Sequence, residues 1–406
     1  LAGAALMAAP LPLEEAQQRL LALAAPLPVE RVPVAEALGR YLAEPLTARR
    51  TQPSADLSAM DGYAMRAADL PGPWQVIGES AAGHPFAGTV GHGEAVRIST
   101  GAHIPTGADM VLLQEDAART GETLALSGDA PSPPHKHIRR CANDFAAGAR
   151  LLAAGIRLGP AHLALAVGAG HSHLAVRRRP RVAIIDSGDE LAADPAHCAP
   201  HQIPASNGMM LAALLASVPC EVVRLGPVVD TLDALAAVLA QAGAADVIVT
   251  SGGVSVGDHD LIRPALEAWG AQLEFWKVGI KPGKPLLVAR RDAQLVVGLP
   301  GNPVSSYVTA FLFVLPLLRA LLGSAQPLPA PIGSVLADPV GPGGPRREFL
   351  RAHWNGATVT ARLNQDSGAL ATLAASNAVI DRPVDAAAQQ AGAAVSIYLI
   401  EPGGIA

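Results

Sequence analysis

Only three cysteines, Cys141, Cys198 and Cys220, occur in 406 residues, and no two have the short spacing of a zinc knuckle or a dithiol redox motif. Disulfide scaffolds, iron–sulfur proteins and thiol oxidoreductases are thereby excluded. An excess of positive charge is also missing. With 30 Lys+Arg against 35 Asp+Glu and a net charge of −5, the whole-molecule footprint of a nucleic-acid binder is absent, and any basic surface must be local. Long apolar runs are few: Tyr307 to Leu322 is interrupted by Pro316 and Arg319 and reads as too short for a bilayer. The opening LAGAALMAAPLPLEEAQ lacks the basic flank of a signal peptide. Met7 is expected to lie nearer the natural start, and a reducing cytoplasm without membrane association is the expected setting. Gly 40 and Pro 35 stay below the level that marks low-complexity chains, while 50% of residues are hydrophobic. The length exceeds what one core usually organises, so several domains with many turns are expected.

Residues 13–25 repeat leucine at helical spacing behind an acidic first turn, which predicts an amphipathic helix. From 29 to 144 the texture changes to short β-like runs (VRIST, MVLLQ, ETLAL) separated by Gly, Pro and Asp, predicting a β-rich domain with helix only over 34–43. Residues 145–180, with a helix at 160–169, join 1–28 in a helical and linking domain. From 181 to 323 apolar β-branched runs alternate with helices near 206–217, 231–242, 260–269 and from 303. That alternation argues for a mainly parallel sheet covered on both faces, a three-layer α/β domain. A Pro-rich linker, SAQPLPAP, then leads into a small β domain over 324–406.

The chemistry gathers on loops that follow the strands of the α/β segment, where such sheets bind ligands. DSGDEL (186–191), TSGGVSVGDHD (250–260) and GLPGNPVSS (298–306) each follow an apolar run. Gly252, Gly253 and Gly257 let backbone approach a phosphate, with Ser251 and Ser255 as hydroxyl donors. Asn302 can cap a helix that starts at Pro303, presenting free N–H groups to an anion. KVGIKPGKP sets Lys277, Lys281 and Lys284 among apolar neighbours, where each cation counts for more against a phosphate. Opposing them are Asp186, Asp189, Glu190, Asp258 and Asp260, and carboxylates beside phosphate donors suit Mg²⁺. Asp56, Ser58, Asp61, Ser99, Thr100 and Asp109 lie in two Ser/Asp/Gly-dense strings that read equally as turns. The histidine groups 135/137, 171/173 and 197/201, the last with Cys198, lack a consistent fourth ligand, and most read as surface or loop residues. No nucleophile elbow or Ser–His–Asp order is present.

The ordered set SAMDGYA, STGAHIPTGAD, SGDEL, SGGVSVGDHD, KPGKP and GLPGNPVSS, running from about residue 11 to the end, resembles the molybdopterin molybdenumtransferases, the MoeA and gephyrin E-domain family. The resemblance implies four domains, with 181–323 as the molybdopterin-binding domain, and a homodimer whose cleft joins that domain to the β-module of the other subunit. The implied reaction takes molybdate, adenylylated molybdopterin and Mg²⁺ to molybdenum cofactor and AMP. It implies pocket carboxylates at Glu190, Asp230 and Asp260, with Asp260 and Glu190 as metal ligands, and functional lysines at Lys277 and Lys281, with Lys284 a further anion contact. Cofactor contacts would come from Ser251, Gly252, Gly253, Ser255, Gly257, Pro300, Gly301 and Asn302, and Arg351 and Ser367 would line the cleft. Asp56 and Thr100 would come from the partner, and a molybdopterin adenylyltransferase and recipient molybdoenzymes are implied partners. Departures stand at Leu57, Ala142, Asp186-Ser187 and Ala205. Two other readings share the fold or part of it: a scaffold with weakened catalysis, and the adenylyltransferase, which has only the α/β domain.

Overall fold

The computed structural model describes residues 9–253 and 261–400. At its centre lies a six-stranded sheet of β1 (Arg181–Ser187), β2 (Glu221–Val228), β3 (Val247–Ser251), β4 (Gln272–Trp276), β5 (Leu287–Arg291) and β6 (Gln294–Leu299), in the order β2-β1-β3-β6-β5-β4. All strands run parallel except β5, which is antiparallel to both neighbours. Both faces are covered, which is why these strands read as continuous apolar runs. Val182, Ile184, Val247, Val249 and Val297 enter one core; Ala183, Ile185, Ile248 and Val296 enter the other.

The first core holds α1 (Leu13–Ala22) and the chain's longest helical stretch, Pro303–Leu321. That stretch is long and apolar enough to cross a membrane, contrary to the expectation of a run too short; most of it, however, is buried inside the fold, as in a core helix. A π turn at Ala310–Val314 precedes Pro316, which has no N–H for the Leu312 carbonyl four residues back. Gln17 of α1 supplies the missing donor, its Nε2 reaching Leu312 O at 2.9 Å in a buried position.

The helix expected over 34–43 does not form. A single 3₁₀ turn (Val34–Glu36) ends it, Gly39 takes φ +74°, and Tyr41 and Leu42 pair as bridges with Arg157 and Val176. Tertiary pairing here overrides an apolar spacing that fits a helix. Residues 62–126 build a separate six-stranded sheet over its own core of Met65, Trp74, Met110, Leu112 and Leu124. At the other end, Ile332–Leu336, Arg347–Trp354, Thr358–Ala361, Ala378–Arg382 and Ala394–Leu399 close into a small barrel, because Arg347–Trp354 pairs with both Thr358–Ala361 and Ala378–Arg382. A sixth strand is added from the central domain: Ile280–Lys281 pairs in parallel with Arg347–Glu348.

Candidate functional site

The carboxyl edge of the central sheet collects the polar residues, and strand register alone places them. Ser187 stands opposite Val228, Asp186 opposite Ser251, Ser251 opposite Leu299, and Leu287 opposite both Gly298 and Trp276. Across the sheet this edge therefore passes from Asp230 and Glu190, through Ser251, Gly252 and Gly253, to Pro300, Gly301 and Asn302, and then to Lys284 and Lys277. Carboxylates occupy one end, hydroxyls and bare backbone the middle, ammonium groups the other end.

Glycine is required in the middle. Gly252 and Gly253 have φ of +102° and +61°, and a Cβ at Gly252 would lie 2.5 Å from Ser187 O. One side chain ties the loops together. Asn207, at the start of the helix Asn207–Leu215, donates from Nδ2 to Ser251 Oγ at 2.9 Å and to Gly301 O at 2.7 Å. The neighbouring Gly208 N–H donates to Asp186 Oδ2 at 3.0 Å, so β1, β3 and β6 are all fastened to one helix start. Asp186 is 5% exposed, its Oδ1 has no hydrogen-bond partner among the described residues, and burial pushes its carboxyl above the ordinary range. Asp189 Oδ1 accepts the Asp230 N–H at 3.0 Å, holding the two acidic loops side by side.

The lysines differ from one another. Lys277 sits at φ +69°, an unfavourable region for a residue with a Cβ, and places Nζ 4.0 Å from the Trp276 ring centroid. Lys281 Nζ donates to Glu348 Oε1 at 3.0 Å, and the buried Glu348 also accepts from Arg382 Nη1 at 3.1 Å. Lys281 keeps half its side chain exposed, so the barrel orients it without enclosing it. Lys284 is exposed and has no carboxylate partner among the described residues.

Two expectations change. Asn302 precedes the helix as predicted but makes no side-chain cap; its Nδ2 donates to Ser367 Oγ at 2.7 Å instead. Arg351 is fully buried and does not open onto a surface cleft. Its Nη2 donates to Asn364 O at 3.0 Å and Asp366 O at 2.9 Å, shaping the loop that presents Ser367, while burial lowers its pKa. Ser255, Gly257, Asp258 and Asp260 lie outside the described residues.

Asp56 and Thr100 stand apart from this edge. Asp56 accepts from Cys141 N at 2.8 Å and Arg140 Nη1 at 2.6 Å, contacts that hold its carboxyl below the usual range. The Thr100 N–H donates to Asp61 Oδ1 at 2.7 Å. Among the described residues, no hydrogen bond links residues 51–144 to residues 181–400, and their apolar cores are separate. The histidine groups form no cluster of three metal-ligating side chains among the described residues. Sequence reasoning misses Asn207, which lies just beyond the Ala205 departure, and Glu348, for which no local signal exists.

Fold and site together define an α/β domain with a polar carboxyl edge, carried between a β-rich module and a small barrel. Residues 11–170 match the MoeA N-terminal region (domain I and II), residues 183–320 a probable molybdopterin binding domain, and residues 334–400 the MoeA C-terminal region (domain IV). The chain belongs to the MoeA family. It is 37% identical over 320 residues to the molybdopterin molybdenumtransferase of Haemophilus influenzae, covering 78% of this chain and 79% of that one. It is 36% identical over 384 residues to molybdopterin molybdenumtransferase 2 of Mycobacterium tuberculosis, covering 90% and 94%. The crystal structure of the molybdopterin biosynthesis MoeA protein of Pyrococcus horikoshii superposes with a TM-score of 0.84 at 28% identity, over 96% of this chain and all of that one.

Proposed function

We propose that this chain is a molybdopterin molybdenumtransferase that passes molybdenum from molybdate to adenylylated molybdopterin, with Mg²⁺, releasing AMP. The observation that carries the reading is the graded carboxyl edge, acidic at one end and cationic at the other, locked into register by Asn207. Six strands at about 4.8 Å spacing make an edge of roughly 24 Å, long enough for an extended nucleotide-tagged ligand lying across it. An adenylyltransferase confined to the α/β domain is disfavoured, because the matched regions extend through 11–170 and 334–400.

The central difficulty is to bring a dianionic oxyanion to a substrate whose phosphates are already anionic. Lys277, Lys281 and Lys284 offset that repulsion, and their ammonium groups stabilise charge as it develops during transfer. Gly252 and Gly253 let backbone reach the phosphates, and Ser251, Gly301 and Asn302 fix their position. Glu190 and Asp189 on one turn offer hard oxygen donors too few for a closed cage, which suits Mg²⁺ shared with phosphate oxygens. Asp260, the other expected ligand, lies outside the described residues. Bound there, the ion would neutralise phosphate charge and polarise the bond that AMP leaves by.

Asp56 and Thr100 belong to a module whose hydrogen bonds and core are separate from the edge, so in this reading a second copy supplies them and the working unit is a homodimer. The cytoplasm, an upstream adenylyltransferase and recipient molybdoenzymes complete the proposal. Incubating the purified chain with adenylylated molybdopterin, molybdate and Mg²⁺ should release AMP, and chelating the ion should stop it. No molybdate-dependent AMP at saturating Mg²⁺ would favour the scaffold reading.

A further inference from the structure

A second collection of cations lies away from the carboxyl edge. Tyr41, Gly155, Arg157, Arg319, Ser324 and Gln326 line a cavity of about 500 Å³ where the segment before α2 (Pro160–Gly168), the end of the Pro303–Leu321 helix and the linker to the barrel converge. The walls are closely set: a Cβ on Gly155 would stand 2.8 Å from both Ala325 N and Gly323 O. Among the described residues, the Arg157 guanidinium donates only to Ser217 O at 3.0 Å, and that of Arg319 only to Pro327 O at a long 3.3 Å. Neither has a carboxylate partner among the described residues, in contrast to Arg40, Arg178, Arg347 and Arg382.

The charged surroundings of Arg319 point the same way. Burial lowers its affinity for a proton, the nearby Arg157 adds repulsion, and only the Tyr41 phenol opposes them. Two guanidinium groups sharing one cavity without a counter-ion is an unfavourable arrangement that an anion would relieve. Neutral donors complete a shell: the Ser324 hydroxyl accepts from Gln326 N at 3.2 Å and keeps its proton for another partner, and the Gln326 amide makes no side-chain hydrogen bond among the described residues.

We propose that Arg157 and Arg319 form a binding site for a small tetrahedral oxyanion, of the size and charge of inorganic phosphate or sulfate, separate from the substrate edge. Two forked guanidiniums, a hydroxyl and an amide match the several oxygens of such an ion. Occupancy would fasten the 155–157 loop to the 324–326 linker, and so to the barrel that orients Lys281.

The test is calorimetric titration of the full chain with inorganic phosphate, ionic strength held constant with chloride, for the native chain and for Arg157→Gln, Arg319→Gln and Lys281→Ala. The expected result is saturable binding that survives Lys281→Ala and weakens at least tenfold in Arg157→Gln. Arg157 is exposed and its backbone carbonyl contact is minor, so this variant should fold even if Arg319→Gln does not. Arg157→Lys, which keeps the charge, should recover part of the affinity. Absence of saturable phosphate binding, or binding lost in Lys281→Ala and kept in Arg157→Gln, would overturn the site.

Discussion

The two halves of the proposed site are built in opposite ways. At the carboxyl edge of the central sheet the functional groups are assembled within one chain: parallel strands end in register, and Asn207 fastens Ser251 to Gly301. In the β-rich module, Asp56 is engaged by Arg140 and Cys141 and Thr100 by Asp61, and neither meets the edge. A parallel sheet brings many loops to one line as a by-product of its topology, whereas a mostly antiparallel module, in which Trp74–Ser80 and Glu94–Ile98 are the parallel pair, scatters its turns and must be docked against something to contribute. On the proposed reading, the first half binds by itself and the second depends on assembly.

The largest expected effect falls on the preassembled half. Lys281→Ala should reduce molybdenum insertion by about 100-fold or more, as removing a preorganised charge stabiliser does. Its fold should persist, because Glu348 retains Arg382. Normal AMP release from this variant would remove the lysine from the mechanism. Asn207→Ala loses two hydrogen bonds that hold the loops, and should cost about 2 kcal/mol of stability and raise the KM for the pterin roughly tenfold. A Tm shift without a KM change would reduce Asn207 to a structural tie.

Acid titration separates the halves by sign. Burial raises the pKa of Asp186 above the ordinary 3.8, so the stability tied to its protonated form is present below that value and lost as pH rises through the raised one. Asp56, lowered from 3.8, contributes stability above that value and loses it as pH falls through the lowered one. Urea midpoints measured across the acid range should therefore show Asp186→Asn gaining on the native chain as pH rises and Asp56→Asn falling behind it. The same slope for both variants would contradict the assigned environments. The smallest effect is expected at Asn302→Ala, about 0.5 kcal/mol, since its side chain makes one exposed bond to Ser367 and no cap.

Much of this was legible in the sequence. The apolar runs at RVAIID, ADVIVT and QLVVGL announced strands because both faces of the sheet are buried, and the polar loops behind them fell where such sheets bind. What escaped notice depended on distant partners. Asn207 reaches residues 44 and 94 positions away, and Lys281 meets a carboxylate 67 positions on. The failed helix at 34–43 shows the converse: VAEALGRYLA fits a helical period, yet Tyr41 and Leu42 are claimed by bridges to Arg157 and Val176. Arg351 was placed in the cleft by resemblance; its full burial shows that it supports the Ser367 loop from behind.

Whether two copies complete one site can be tested directly by mixing damaged subunits. Asp56→Ala and Lys281→Ala chains, each inactive alone, are co-expressed with different tags and the heterodimer is purified. If each site takes its lysines from one subunit and Asp56 from the other, one of the two sites regains every native residue, and about half of native molybdenum insertion should return. Heterodimers as inactive as their parents would mean that the edge and the β-rich module act within one chain, contradicting the account.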